Sequence, residues 1–300
     1  MIELPHRAPS GNPSLNHQIT RSPDSRVGPA IGRVARLELA FERRAGRTVL
    51  AHGYAEPPFR IGHTFDLDGA AYVIVVCSGP GVFAGDALRQ SVHVGPGARV
   101  VLASQSALQA HPSPAANAAS ILHEYDIEDE AELHCHWDPL IPFACARIDQ
   151  RVHLRVAAGG RLYWSDALMA GRAARGETWR FTELAHEVQV RTDSRCAYLE
   201  RYRLEPANRH ITERWSAGNA AYCSTVLVWH ARADPDAAAC LQRSVTEIRA
   251  VTGAADMVEP GLIVARLAAR AGPPFAAARS ALRAAALETI FGISHLVVRK

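Results

Sequence analysis

From Val34 to about His230 the chain runs in short apolar or alternating stretches. Candidate strands are VARLELA (34–40), RTVLAHGY (47–54), AYVIVVC (71–77), LRQSVHV (88–94), ARVVLAS (98–104), AELHCHW (131–137), IDQRVHLRV (148–156), RLYWSDA (161–167), TWRFTELAHEVQV (178–190), CAYLERYRL (196–204) and YCSTVLVWH (222–230). They are rich in β-branched and aromatic residues and are punctuated by Gly, Pro and Asp. Three turn segments share one register: VGPGARV (94–100), IEDEAEL (127–133) and VAAGGRL (156–162). Each sets an apolar residue at its first and seventh positions, and the period-2 apolar positions continue outward. Val92, Tyr125 and Leu154 precede the turns; Leu102, Cys135 and Trp164 follow them. Similar units about thirty residues apart predict stacked repeats. A doubly wound α/β fold would need helical crossovers, and residues 34–104 have no such pattern. The expectation is a mainly β fold, layered or solenoid-like, built of stacked hairpins, with about two helices near the C-terminus.

After His230 the pattern changes. DPDAAACLQRSVTEIRAVT (234–252) offers Asp234 as an N-cap and Pro235 at the first helical position. Leu241, Val245 and Ile248 follow on one face. A strand, GLIVARLAA (261–269), comes next. PPFAAARSALRAAALETIFG (273–292) is Ala-rich and predicts a second helix. Phe275, Leu282, Leu287 and Phe291 form its apolar side, and Arg279 and Arg283 a polar one. Residues 1–32 hold Pro, Ser, Asn and Gly without an apolar segment and read as a disordered arm. One domain is expected over 33–300, β-rich at 33–231 and helix-containing at 232–300.

Charge and composition exclude several classes. The 33 basic and 30 acidic residues nearly balance, for a formal charge of +3, so no basic patch marks a nucleic-acid binder. No run of about 18 apolar residues predicts a membrane span. Six scattered cysteines without a CxxC pair read as reduced thiols of a cytoplasmic protein.

Catalytic motifs are missing. There is no Gly-x-Ser-x-Gly elbow, no Walker motif and no dinucleotide fingerprint. GPGVFAGD (79–86) is glycine-rich but lacks the Lys-Ser/Thr of a P-loop, so it reads as a turn. In HCH (134–136) the two imidazoles share a face and Cys135 takes the other. They are half of a metal site, or the polar side of a strand. In GRAARGE (171–177), Arg172, Arg175 and Glu177 pair with one another or face an acidic partner. In CHWDPLIPFACAR (135–147) the prolines force a corner. Leu140, Ile141 and Phe143 turn inward there. Asp138 and Arg147 bond backbone, pair with each other, or line a cavity.

Taken in order, GVFAGD (81–86), VGPGARVVLASQSA (94–107), DPLIPFACAR (138–147), GRAARGE (171–177) and GLIVARL (261–267) resemble the urease accessory protein UreD (UreH) family over roughly 34–292. The resemblance implies a non-enzymatic chaperone of nickel insertion. Such a chaperone contacts the urease apoprotein and UreF, is joined by the GTPase UreG, and keeps no tightly bound cofactor. It also implies a water-filled passage for nickel in transit. Asp86, Asp138 and Glu177 are the candidate oxygen ligands, too sparse to trap the ion. Gln105, Arg147, Arg172 and Arg175 are candidate lining or struts, and Phe275, Leu282 and Phe291 a candidate docking face. Segment 103–120 departs from the family: Gln105 is kept, but Gln109, Ala110, His111 and Pro112 replace a usual Lys-Tyr-Arg-Ser run. That departure raises the alternative of a divergent interaction protein without nickel transfer.

Overall fold

The computed structural model describes residues 32–114, 117–208 and 218–294. Apart from Gly32, the N-terminal arm expected at 1–32 lies outside them. The strands, in chain order, are β1 (Val34–Arg44), β2 (Arg47–Ala55), β3 (Phe59–Leu67), β4 (Ala70–Cys77), β5 (Ala87–Val94), β6 (Arg99–Ser104), β7 (Leu108–Ala110), β8 (Ala119–Ile127), β9 (Glu132–His136), β10 (Leu140–Pro142), β11 (Arg147–Val156), β12 (Arg161–Met169), β13 (Glu183–Arg191), β14 (Cys196–Leu204), β15 (Tyr222–Trp229), β16 (Val251–Glu259) and β17 (Leu262–Ala269). Helix α1 (Pro235–Thr246) lies between β15 and β16, and α2 (Gly272–Ala286) follows β17.

Two sheets face each other. The first has the order β14-β13-β11-β8-β5-β1-β2, and the second β16-β17-β15-β12-β9-β6-β4-β3. Between β4 and β13 the longer strands alternate between sheets, so each strand returns to its own sheet one rung further on. Hence β5, β8 and β11 pair in parallel, as do β6, β9 and β12. A parallel pair needs a crossover; here a strand of the opposite sheet supplies it in place of a helix. The result is a β-solenoid-like stack.

The register expected from the three repeats is the register observed. Val94 lies opposite Ile127, and Ile127 opposite Val156. Val100 lies opposite Leu133, and Leu133 opposite Leu162. The turn inside each repeat is an arc between the sheets. Its flanking strands pair with neighbouring rungs and not with each other, so the stacked units are arcs rather than hydrogen-bonded hairpins.

Burial follows from this layering. The first sheet alternates: β13 buries Leu184, His186, Val188 and Val190 and turns the residues between them outward. The middle of the second sheet is covered on both faces, and β9 is buried at every position. Leu102, Ile127, Leu133, Leu154 and Trp164 fill the space between the sheets. Each such side chain contributes about 1.5–3 kcal/mol by leaving water. The outer face of the second sheet packs Tyr163, Val226 and Val228 against Leu241, Val245, Phe275, Ala278 and Leu282 of the helices.

Several sequence expectations need correction. The helix expected over 234–252 is capped as foreseen, Asp234 accepting from the Ala237 N–H at 2.8 Å, but it ends at Thr246. Val251–Glu259 is a strand, where a Cβ on Gly253 would lie 2.5 Å from Val245 Cγ1, so the helix packs too closely for a side chain. β3 and β8 went unforeseen: β3 does alternate, with Phe59, Ile61, Phe65 and Leu67 at period 2, but it is a half-exposed strand at the sheet edge. The corner at 138–147 contains a short strand, β10, paired with β7 and β12. Ile141 is only half-buried there, whereas Leu140 and Phe143 are buried. Phe275 and Leu282 are buried against the chain's own second sheet, which removes them from the docking face assigned to them. Phe291 is partly buried in the same cluster. Arg279 is not on a polar outer face: it reaches inward to the Trp137 carbonyl at 2.8 Å and Ser165 Oγ at 2.9 Å.

Among the described residues no helix is long and apolar enough to cross a membrane.

Candidate functional site

The solenoid has two unlike edges. At one, the short arcs after β5, β8 and β11 stack. At the other, four longer connections return the chain from the second sheet to the first, their described residues being 78–86, 105–114 with 117–118, 137–146 and 170–182. The segments GVFAGD, DPLIPFACAR and GRAARGE all lie on this second edge.

The loops continue the parallel ladder. Val82 bridges Ala110, and Leu140 lies opposite both Leu108 and Leu168. Two glycines allow the close approach. A Cβ on Gly81 (φ +120°) would lie 2.1 Å from the Gln109 carbonyl oxygen, and one on Gly171 (φ +113°) 2.2 Å from that of Glu177. A column of planar groups, one from each loop, runs over the ladder. Phe83 stacks on His111 at 4.3 Å, His111 meets Phe143 edge-on at 5.0 Å, and the Arg172 guanidinium lies 4.0 Å over Phe143. Arg172 Nε donates to Glu177 at 2.7 Å, and this hydrogen bond holds the Glu177 carboxyl below its ordinary pKa.

These contacts place the sequence candidates. Asp86 is buried and accepts from the Arg33 N–H at 2.8 Å and the Phe83 N–H at 2.9 Å, so it staples its own loop. Glu177 ties Arg172 and accepts from the Ala144 N–H at 3.5 Å. Arg175 is exposed, and Gln105 is exposed with its N–H on the Val75 carbonyl. Arg147 pairs with Glu183 at 2.9 Å and not with Asp138. Asp138 accepts from Ser104 Oγ at 3.0 Å.

Beneath the loops, two adjoining cavities lie between the sheets. The smaller, about 70 Å³, is bordered by Gln90, Ser104, His123, Trp137 and Asp138. The larger, about 460 Å³, is bordered by His186, Glu200, Tyr202, Cys223 and Ser224. Leu140, Gln150, Asp166 and Ala167 border both. Of the three acids proposed from sequence, Asp138 alone borders either of these two cavities. Burial, with His186 nearby, pushes the His123 imidazole down to about 3. Burial pushes the Asp166 carboxyl up and the Cys223 thiol up to about 11. Asp166 Oδ2 and the indole nitrogens of Trp137 and Trp164 are buried without a hydrogen-bond partner. Such groups make the space suited to ordered water.

Sequence reasoning missed Gln90, His123, Gln150, Asp166 and His186. A signal was present for the four on the first sheet. Each interrupts an inward apolar series at period 2: Leu88-Gln90-Val92, Ile121-His123-Tyr125, Ile148-Gln150-Val152 and Leu184-His186-Val188. A polar side chain on the buried side of a strand needs a partner or a solvated space.

The HCH segment divides as expected. Cys135 enters the inter-sheet core, while His134 turns toward the helices, 4.6 Å from the Phe291 ring and 2.9 Å from Glu132. Among the described residues, a three-ligand grouping of His93, Asp126 and Glu128 lies on the outside of the first sheet. There Arg155 already pairs with both acids, at 2.5 and 2.9 Å.

The model of the UreD urease accessory protein family matches residues 33–299, nearly the whole described fold. The chain belongs to the UreD family. It is 34% identical over 183 residues to "Urease accessory protein UreD" of Sorangium cellulosum, covering 61% of this chain and 58% of that protein. It is 29% identical over 269 residues to the protein of that name from Deinococcus radiodurans, covering 89% and 95%. With the Azoarcus protein the identity is 31% over 237 residues, covering 77% and 81%. The UreD-family match thus takes in both sheets, the motif edge and the helices.

Proposed function

We propose that this UreD-family chain is a non-enzymatic maturation factor that links the urease apoprotein to UreF and UreG and lets nickel cross its interior. The observation that carries the proposal is the pair of adjoining cavities between the sheets, under the loops that hold the family's segments. Among the described residues their walls carry a few oxygen and imidazole groups and the thiols of Cys77 and Cys223, with no closed ligand set. A cation crossing such a space exchanges one incomplete shell for the next and is released; four Cys or His ligands would retain it. Asp138 borders the smaller cavity and remains the candidate nearest to the loops. Asp86 and Glu177 act on the path through the loops they hold.

The test is urease activity in cells carrying the urease structural genes with UreE, UreF and UreG, this chain being supplied or withheld. Nickel-dependent activity only with the chain is the expected result. Co-purification with UreF without any activation would favour the alternative, an interaction protein that does not transfer nickel.

A further inference from the structure

We propose that Asp166 and His186 together form a coordination point for a divalent transition-metal cation at the junction of the two cavities. The identity of the cargo rests on the function proposed above; the site itself rests on geometry.

Asp166 projects from β12 of the second sheet, and His186 from β13 of the first. Their nearest atoms, Oδ2 and Nε2, are 4.0 Å apart across the interior. That is too long for a hydrogen bond. Adjacent ligands of one ion, with bonds of about 2.0–2.2 Å to nitrogen and oxygen, lie roughly 3–3.5 Å apart, so a small rotation of either side chain brings both donor atoms onto one ion. The two side chains are only 13% and 6% exposed.

A buried carboxylate oxygen without a partner is costly unless something fills its place. Asp166 Oδ2 has no hydrogen-bond partner. Trp164 is the side-chain donor set toward the Asp166 carboxyl, and three other neighbours are engaged elsewhere. Ser224 Oγ donates to the Asp166 main-chain carbonyl. Glu200 is held by Arg266 at 3.0 Å and by Tyr198 Oη at 2.8 Å. The His186 ring is stacked on Tyr202 at 4.8 Å, which fixes its plane. Asp166 borders both cavities, so an ion held there has an open side toward each. Two protein ligands, with water completing the shell, give a site that binds and lets go. A neutral imidazole beside a carboxylate selects ions such as Ni²⁺, Co²⁺ or Zn²⁺ over Mg²⁺ and Ca²⁺.

The test is equilibrium dialysis of the full chain against Ni²⁺ alone, with Co²⁺ absorption as a second readout. The parent is compared with Asp166→Asn, His186→Gln and, as an outer-surface control, His93→Ala. The expected result is one class of site weakened at least 10-fold by either interior substitution and unchanged by His93→Ala. The interior variants are near-isosteric and lie on different sheets, and circular dichroism checks each fold. Identical titrations for the parent and both folded interior variants would overturn the site. The activation assay is read separately. If the parent activates urease and the interior variants bind like the parent, the site is wrong and the maturation role stands. If binding falls in both variants but the parent does not activate urease, the site stands and the maturation role is wrong.

Discussion

Glu132 lies at the start of β9, and its carboxylate is buried, with 7% of the side chain exposed. His134 Nε2 lies 2.9 Å from it, Arg161 Nε 3.1 Å and Arg99 Nε 3.7 Å. The rungs impose this meeting, since Glu132 is opposite both Arg99 and Arg161. Burial alone would raise the carboxyl pKa. The hydrogen bond from His134 and the charges of His134, Arg161 and Arg99 outweigh it and bring the pKa to about 2 from 4.5. The folded state therefore prefers the carboxylate. That preference is complete above pH 4.5 and is lost as pH falls through 2. At about 1.4 kcal/mol per unit, the shift corresponds to about 3 kcal/mol at pH 7. Glu132→Gln keeps the shape and removes the charge, leaving two guanidiniums facing a neutral amide. The expected loss is about 3 kcal/mol at pH 7, shrinking to about 1 kcal/mol at pH 3. Urea unfolding of the full chain at both pH values measures it. A variant within 0.5 kcal/mol of the parent at pH 7, or a loss equal at both pH values, would refute the reasoning (~0.5 kcal/mol is the scale of ordinary surface changes).

Three further outcomes are expected. Arg279→Met removes the donors to the Trp137 carbonyl and Ser165 Oγ; denaturant unfolding should show a loss of about 2 kcal/mol, and an unchanged midpoint would mean these bonds do not anchor α2. Gly171→Ala puts a Cβ against the Glu177 carbonyl oxygen at φ +113°, so the loop must shift, and a loss of roughly 1–3 kcal/mol is expected; parental stability would show that the loop yields without strain. His123 stays neutral down to about pH 3 when folded but binds a proton below about 6.5 when unfolded. Stability should therefore fall as pH drops through that window, less steeply in His123→Gln, and equal slopes for variant and parent would count against a neutral His123.

The rungs were legible in the sequence because three arcs share a register and each apolar position in one has its counterpart in the next. Val94, Ile127 and Val156 align in the sequence as they do in space. What the sequence hid was connectivity. An arc between sheets and a hairpin within one sheet share the same local pattern, and only the pairing of distant strands separates them. The helix at 273–292 showed its amphipathic face, but the pattern does not say what covers it; the chain's own second sheet does. The candidate acids were picked for lying in loops between strands. Asp86 and Glu177 have partners there that fix the loops, while most of the cavities' polar groups sit within strands. Asp166 and His186 meet only because β12 and β13 face each other across the core.

The most direct measurement of the central claim is nickel-dependent urease activation by Gln150→Trp, scored beside co-purification with UreF. Gln150 borders both cavities and lies between the inward residues Ile148 and Val152, so an indole there fills their junction without touching the outer surface. The account predicts parental co-purification with activation largely lost. Parental activation by a folded Gln150→Trp chain would contradict it, and nickel would then reach urease by a route outside this interior.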